Sequence, residues 1–420
     1  MTTVSAGRGT GLLGLGADRL AWPGQELEAG VVWVDPDLGT IVDVVRAGHG
    51  PAGTRPDDVP GRLVELGDRT IAPGFVDVHV HGGDGHQVNG ASPTEVAESV
   101  AAIAAFHARH GTTALLATTV SDSPDRLRAS VAGVARAARE RRPGAARVLG
   151  CHLEGPFISP ARAGAQDRAR IRPPDAAELS ALLEVGEGTL RVVTLAPELE
   201  GADLLVAECV AAGVTVALGH SDADVDTARA AFDAGATHVT HLFDAMAPFH
   251  HRSPGLVAAA LLEPRATLEL ICDLHHVHPQ AIALAARTAP GRLVLVTDAS
   301  GAAGMPPGPQ RLGEVDVEVD DTRVTLASDP STLAGSVLTM ERAVRNAVRA
   351  AGMALADALR AASAVPVAFA APRETARPAG HRGGLEPGAP ADLVVLDPAL
   401  EVVATIVAGS VVYEREPLLA

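Results

Sequence analysis

The sequence predicts an α/β protein: a TIM-like (β/α)8 barrel with a small β-sandwich formed from the N- and C-terminal segments. Eight apolar runs of strand length alternate with segments of helical period between Gly74 and Ser300. The histidines and carboxylates able to do chemistry fall at the C-terminal ends of those runs, where a barrel places its site. Both flanks break instead into short alternating runs between Pro, Gly and Asp turns. Repeated βα units force parallel pairing, and eight strands can close on themselves. The pattern leaves an open doubly wound sheet as the alternative, with its site at the same strand ends.

In chain order, the expected strands are Gly74–Gly82, Thr113–Val120, Arg147–Gly155, Arg191–Glu198, Val214–Ser221, Thr237–Met246, Thr267–Val277 and Arg292–Ser300. The first expected helix, Pro93–His110, opens with Ser92 as N-cap, Pro93 in the first turn and Glu95 in capping-box position. Leu204–Ala212, Ala223–Ala234 and Gln280–Thr288 read as further Ala-rich amphipathic helices, several ending at a glycine that suits a C-terminal cap. Leu333–Ala371 reads as helical and would complete the outer ring. The runs VVWVDPDLGTIVDVV and ADLVVLDPALEVVATIVAGSVVY divide the chain into an accessory module, 1–70 with 375–420, and a barrel, 71–374. GLLGLG, Gly11–Gly16, lacks the flanking strand and helix of a dinucleotide loop and is expected to be a flexible turn.

Composition narrows the function. Lys+Arg 34 against Asp+Glu 51 leaves a net charge of −17, which opposes the broad basic surface needed by nucleic acid or anionic lipid. No apolar run approaches the roughly 18 residues of a membrane span. Three cysteines without a CxxC pair, Cys151, Cys209 and Cys272, read as free thiols of a soluble cytoplasmic protein.

GFVDVHVHGG sets Asp77, His79 and His81 on one face of a strand, because side chains alternate with period two, and Val76, Val78 and Val80 on the other. Glu154 in HLEGP, His220 in LGHS, His241 in THLFDAM and Asp298 in VTDAS join them at other strand ends. Four imidazoles and two carboxylates form a set that divalent metals take, and a position left for water makes such a site catalytic. Buried polar residues at strand ends also need a partner to offset their desolvation, and a metal is one.

GFVDVHVHGG, HLEGPF, TLAPE, GHSDA, THLFDAM, RSPG, VTDA, LAGSVLTM and PGAPADLVVLD, in this order, resemble the amidohydrolase superfamily and within it the N-acetylglucosamine-6-phosphate deacetylase family. The resemblance covers most of the chain. It implies hydrolysis of the N-acetyl amide of N-acetylglucosamine 6-phosphate by one or two divalent ions, Zn²⁺ first and Fe²⁺, Mn²⁺ or Co²⁺ as others. Glu154, His220 and His241 would hold the main ion; His79, His81 and Asp298, bridged by Glu154, would hold a second. Asp298 matches the family's catalytic aspartate. Arg252, His276 and the backbone around Asp244 and Ala245 would read the sugar phosphate, with His276 reaching a neighbouring subunit of a homodimer.

Two positions depart from the family pattern. Gln166 stands where a histidine usually orients the acyl carbonyl; it donates a hydrogen bond but carries no proton. Asp244 replaces an asparagine and, if ionised, would repel a phosphate. Alternatives are therefore deacetylation of another amino sugar such as N-acetylgalactosamine 6-phosphate, a D-aminoacylase-like amidohydrolase, and a non-catalytic sensor of amino-sugar phosphates.

Overall fold

The computed structural model describes residues 11–21, 27–47, 61–312, 315–370 and 383–417. Eight parallel strands form its central sheet: β1 (Phe75–Val80), β2 (Thr112–Thr119), β3 (Arg147–Glu154), β4 (Leu190–Leu195), β5 (Thr215–Leu218), β6 (His238–Val239), β7 (Thr267–Ile271) and β8 (Leu293–Val296). They are hydrogen-bonded in sequence order from β1 to β8. The amide of Asp298 then donates to the carbonyl of His79 at 2.9 Å, and Val80 bridges Ala299 in parallel, which brings the end of β8 back against β1. The result is a TIM-like barrel. Its strands are buried on both faces, as sequences so rich in Val, Leu and Ala require.

Helix starts follow their capping chemistry. In α1 (Pro93–Ala108) the Ser92 side chain accepts from the Glu95 amide, while Glu95 reaches back to the amide of Ala91 instead of Ser92. The helix Ala202–Ala212 closes on Gly213, whose φ of 74° suits a residue without a Cβ. In the helix Pro279–Thr288 the cap is His278, whose Nδ1 accepts from the Gln280 amide, so this histidine serves the helix.

Several expected strands are shorter than predicted. The expected Thr237–Met246 is a strand only at His238–Val239, because φ turns positive at His241 (28°), Phe243 (84°) and Ala245 (49°). The same break falls at His220 (47°) and Asp298 (49°). Motif residues there are apolar enough to read as strand, yet they lie in strand-end turns.

A second difference lies after β8. Gly308–Leu312, Val315–Val319, Val324–Leu326 and Asp329–Leu333 form a four-stranded antiparallel sheet. Its Val317, Val319 and Val324 pack with Phe106 and Ala302 beside the barrel mouth. Helix was expected from Leu333 onward, whereas helices begin only at Met340 and run as Met340–Arg349, Leu355–Ala361 and Ala364–Ala370.

The ends of the chain share one mixed sheet in the order Ser410–Glu414, Val402–Val407, Leu393–Leu396, Thr70–Pro73, Leu12–Leu20, Glu28–Asp35, Thr40–Arg46, with Gly61–Glu65 also paired to Leu12–Leu20. Leu15, Val34, Ile41, Ile71, Val395 and Ile406 form its separate core. GLLGLG lies in the Leu12–Leu20 strand and not in a turn: the ring of Trp33 would lie 2.7 Å from a Cβ at Gly14, so glycine here admits a buried indole. Thr70–Pro73 pairs in this sheet, and the chain enters the barrel at Phe75. Residues 1–10 and the expected boundary at 375 lie outside the described residues.

Candidate metal centre and substrate cavity

Strand β1 and the residue that follows it bring His79 and His81 to the barrel interior, as the period of two requires, while Asp77 accepts from the Thr297 hydroxyl at 2.6 Å. Opposite them stands Glu154, the last residue of β3. Its Oε1 lies 3.3 Å from His79 Nε2, 3.1 Å from His220 Nε2 and 3.0 Å from His241 Nε2. Its Oε2 lies 3.3 Å from His81 Nε2. Asp298 Oδ1 completes the ring, 3.2 Å from His81 Nε2 and 3.5 Å from His79 Nε2. All six predicted metal-ligating residues therefore converge on one volume.

The other ring nitrogens settle what this volume accepts. Nδ1 of His81 faces the carbonyl of Thr118 at 3.0 Å, that of His220 the carbonyl of Arg162 at 2.8 Å and that of His241 the carbonyl of Asp244 at 3.2 Å. A carbonyl only accepts, so each Nδ1 carries the hydrogen and Nε2 is left as the ring atom that can turn a lone pair inward to a metal. His79 Nδ1 donates likewise to Glu269, at 2.9 Å. Yet Nε2 of His79 lies 3.1 Å from Nε2 of His81, and Nε2 of His220 lies 3.1 Å from that of His241. Lone pairs at such distances repel unless a cation stands among them. Four imidazole nitrogens and two carboxylates fit a divalent metal, and Glu154 with His220 and His241, or with His79 and His81, has ligand atoms close enough for one ion.

Without a metal, protons on the imidazoles take the place of that cation. Burial opposes a charged His81, but its hydrogen bonds to Asp298 and Glu154 outweigh burial and lift it to about 9. Burial also opposes ionised Glu154, and the charges of His79 and His220 outweigh that, holding it well below the ordinary carboxylate range. Asp298 is held below its ordinary value for the same reason, by His81 and His79. The cluster thus attracts positive charge.

Above it opens a cavity of about 980 Å³, lined by His81, Glu154, Gln166, Asp244, Ala245, His276 and Asp298 and by Leu312, Val315 and Leu326 of the antiparallel sheet. Gln166 is fixed at both ends. Its carbonyl accepts from the Ser121 amide at 2.7 Å and its NH2 donates to Glu154 Oε2 at 2.7 Å.

Asp244 is not the simple anion expected. Burial pushes its carboxyl up to about 8, against the pull of charged His276, and Oδ2 has no hydrogen-bond partner among the described residues. Near neutrality it is a carboxylic acid able to donate. His276 lines the cavity of its own chain, and Asp273 accepts from its Nδ1 at 2.7 Å. Arg252 is not brought to the cavity. It lies on the exposed turn His250–Ser253 that precedes the helix Gly255–Leu262, with Nη1 2.9 Å from His251 Nε2, and the arginines lining the cavity among the described residues are Arg126 and Arg170.

Three participants were not singled out from the sequence: Glu269, His238 and Ser121. A lone acid inside the apolar run ATLELIC is the signal that could have marked Glu269.

A model of the amidohydrolase family matches residues 70–412. The chain is 39% identical over 370 residues to the N-acetylgalactosamine-6-phosphate deacetylase of Escherichia coli O157:H7, covering 88% of this chain and 93% of that protein. It is 38% identical over 359 residues to the N-acetylglucosamine-6-phosphate deacetylase of Homo sapiens, covering 84% and 85%. Among solved structures, a mutant N-acetylglucosamine-6-phosphate deacetylase from Mycobacterium smegmatis in complex with N-acetyl-D-glucosamine-6-phosphate superposes with a TM-score of 0.84 at 38% identity, covering 96% of this chain and 99% of that one. With the barrel, the convergent ligand set and matches of this extent, the chain belongs to the amidohydrolase family.

Proposed function

We propose that this chain hydrolyses the N-acetyl amide of N-acetylglucosamine 6-phosphate, giving acetate and glucosamine 6-phosphate. The observation that carries the reading is the ring of Glu154, His79, His81, His220, His241 and Asp298 opening into a cavity of about 980 Å³, in a chain whose relatives are amino-sugar-phosphate deacetylases.

A bound divalent ion, Zn²⁺ first, would supply Lewis acidity and would make a water acidic enough to be deprotonated near neutrality. Glu154, His220 and His241 would hold the principal ion, and His79, His81 and Asp298 a second. Asp298, ionised and open to the cavity, takes the proton of the attacking water and returns it to the departing amine nitrogen. Gln166 uses one amide hydrogen on Glu154 and keeps the other to orient the acetyl oxygen. The phosphate end is read by His276, whose imidazole the Asp273 carboxylate holds at about 9 against the cost of burial, with the neutral acid of Asp244 and the backbone of Ala245 beside it. The barrel carries the chemistry, and the sheet shared by both ends of the chain, which includes Thr70–Pro73, braces it.

We further propose a homodimer, in which exposed Arg252 serves the cavity of the second copy. Dilution to monomer without change in KM for the sugar phosphate removes that role. Free buried Cys151, Cys209 and Cys272 favour the cytoplasm; no helix of the described residues is long and apolar enough to cross a membrane.

The test is acetate release by zinc-loaded protein from N-acetylglucosamine 6-phosphate, its galacto epimer and unphosphorylated N-acetylglucosamine. Preference for the gluco phosphate establishes the reading. Preference for the galacto epimer moves the substrate to that of the Escherichia coli relative, and no turnover of any removes the deacetylase reading.

A further inference from the structure

Below the metal cluster, on the side away from the cavity, lies a second polar layer that the proposed reaction does not use. Glu269 of β7 is fully buried. Its Oε1 accepts from His238 Nε2 at 2.9 Å, and its Oε2 accepts both from His79 Nδ1 at 2.9 Å and from the backbone amide of His241 at 3.1 Å. His238 is anchored in turn by the hydroxyl of Thr267, 2.7 Å from its Nδ1.

We propose that Glu269 is a positioning residue that sets two metal ligands at once: it fixes the tautomer and ring direction of His79 and holds the strand-end turn that presents His241. This inference rests on the metal-centre reading above. The tautomer half follows from donor counting. Unlike the carbonyls that face His81, His220 and His241, the partner of His79 is a side chain, so its ability to accept can be removed without touching the backbone. A carboxylate oxygen at 2.9 Å accepts, so His79 donates from Nδ1, which leaves Nε2, facing Glu154, as the atom free to bind a metal. The backbone half follows from strain. His241 has φ of 28°, a conformation strained for a residue with a Cβ, which persists only where its surroundings hold it. The amide of His241 and that of Leu242 both end on Glu269, the former on its side chain and the latter on its carbonyl at 2.8 Å, so one residue clamps that turn.

Glu269→Leu tests this. It removes both accepting oxygens from the three donors, so Nδ1 of His79 and the amide of His241 lose their partner together. His238→Asn is the control: it disturbs the same buried layer but leaves the carboxylate facing His79. Zinc affinity is measured by competition with a chromophoric chelator, tautomers by 15N NMR of histidine-labelled zinc-loaded protein, and folding by circular dichroism. The expected result is a loss of roughly ten- to a hundredfold in zinc affinity for Glu269→Leu, with little change for His238→Asn. Equal losses in both variants, or unchanged affinity in Glu269→Leu, overturn the proposal while leaving the metal reading intact. If Glu269→Leu fails to fold, wild type decides: His79 with its hydrogen on Nδ1 in the zinc-loaded protein supports the proposal, and on Nε2 refutes it. A wild type that binds no zinc, cobalt or manganese sinks the metal reading and this inference together.

Discussion

The side-chain amide of Gln166 donates to Oε2 of Glu154 at 2.7 Å, while the backbone of Ser121 fixes its carbonyl end. Glutamine therefore does at this position what a neutral donor can do, and nothing that depends on titration. Replacing it with leucine leaves Glu154 short of a donor and should lower kcat/KM by roughly ten- to a hundredfold, the range expected for a hydrogen bond to a charged group. Gln166→His should add a limb to the pH profile of kcat/KM near the ordinary histidine value of about 6.5. Steady-state acetate release from pH 5 to 9 checks both, and a profile identical in shape for the two proteins would contradict the assignment.

Asp298→Asn keeps the size of the side chain and removes its capacity to accept a proton. The expected fall in kcat is roughly a hundred- to ten-thousandfold, the usual range for a positioned acid-base group. Single-turnover acetate release together with metal analysis separates that loss from loss of an ion.

His276 and Asp273 form a buried pair whose effect on stability has a definite sign. His276 lies at about 9, above its ordinary 6.5, so its contribution is complete below about 6.5 and disappears as pH rises through about 9. Asp273 is held below its ordinary 3.8 because hydrogen bonds from His276 outweigh its burial, so its contribution is present above 3.8 and is lost on further acidification. Thermal melts of wild type and His276→Asn should differ most between pH 4 and 6.5 and converge above about 9. A difference that grows with pH would refute the pairing.

Chelation should abolish acetate release and lower the melting temperature, with both restored by added Zn²⁺, because a ligand that binds only the folded state stabilises it by mass action. Retained activity after exhaustive dialysis against chelator, with metal absent by elemental analysis, would falsify metal dependence.

Much of this site was legible because its chemistry is periodic or local. His79 and His81 alternate with valines, and that alternation fixes which face they share; Glu154, His220, His241 and Asp298 each follow an apolar run that could only be a strand. What was not legible depended on backbone direction. THLFDAM reads as strand through Met246, since Leu242 and Met246 are apolar, but positive φ at His241, Phe243 and Ala245 folds it into a turn. Nor does RSPG say where Arg252 points, because an exposed turn is placed by what it packs against and not by its own pattern. The antiparallel sheet from Gly308 to Leu333 was missed for another reason: its strands are short and half-exposed, so the alternation in VDVEV was too brief to stand out beside the barrel's long apolar runs.

The sheet that joins both ends of the chain bears on how the protein is made. Thr70–Pro73 lies between Leu12–Leu20, already synthesised, and Leu393–Leu396, which leaves the ribosome roughly three hundred residues later, a delay of tens of seconds at ordinary rates of translation. Throughout that interval the nascent N-terminal strands present an unpaired edge flanked by Ile71, Leu15 and Val34, side chains meant for a shared core. Chains that stop short of Leu393 therefore keep every ligand of the metal centre yet expose a ready template for association, and their expected fate is aggregation before any measurable catalysis.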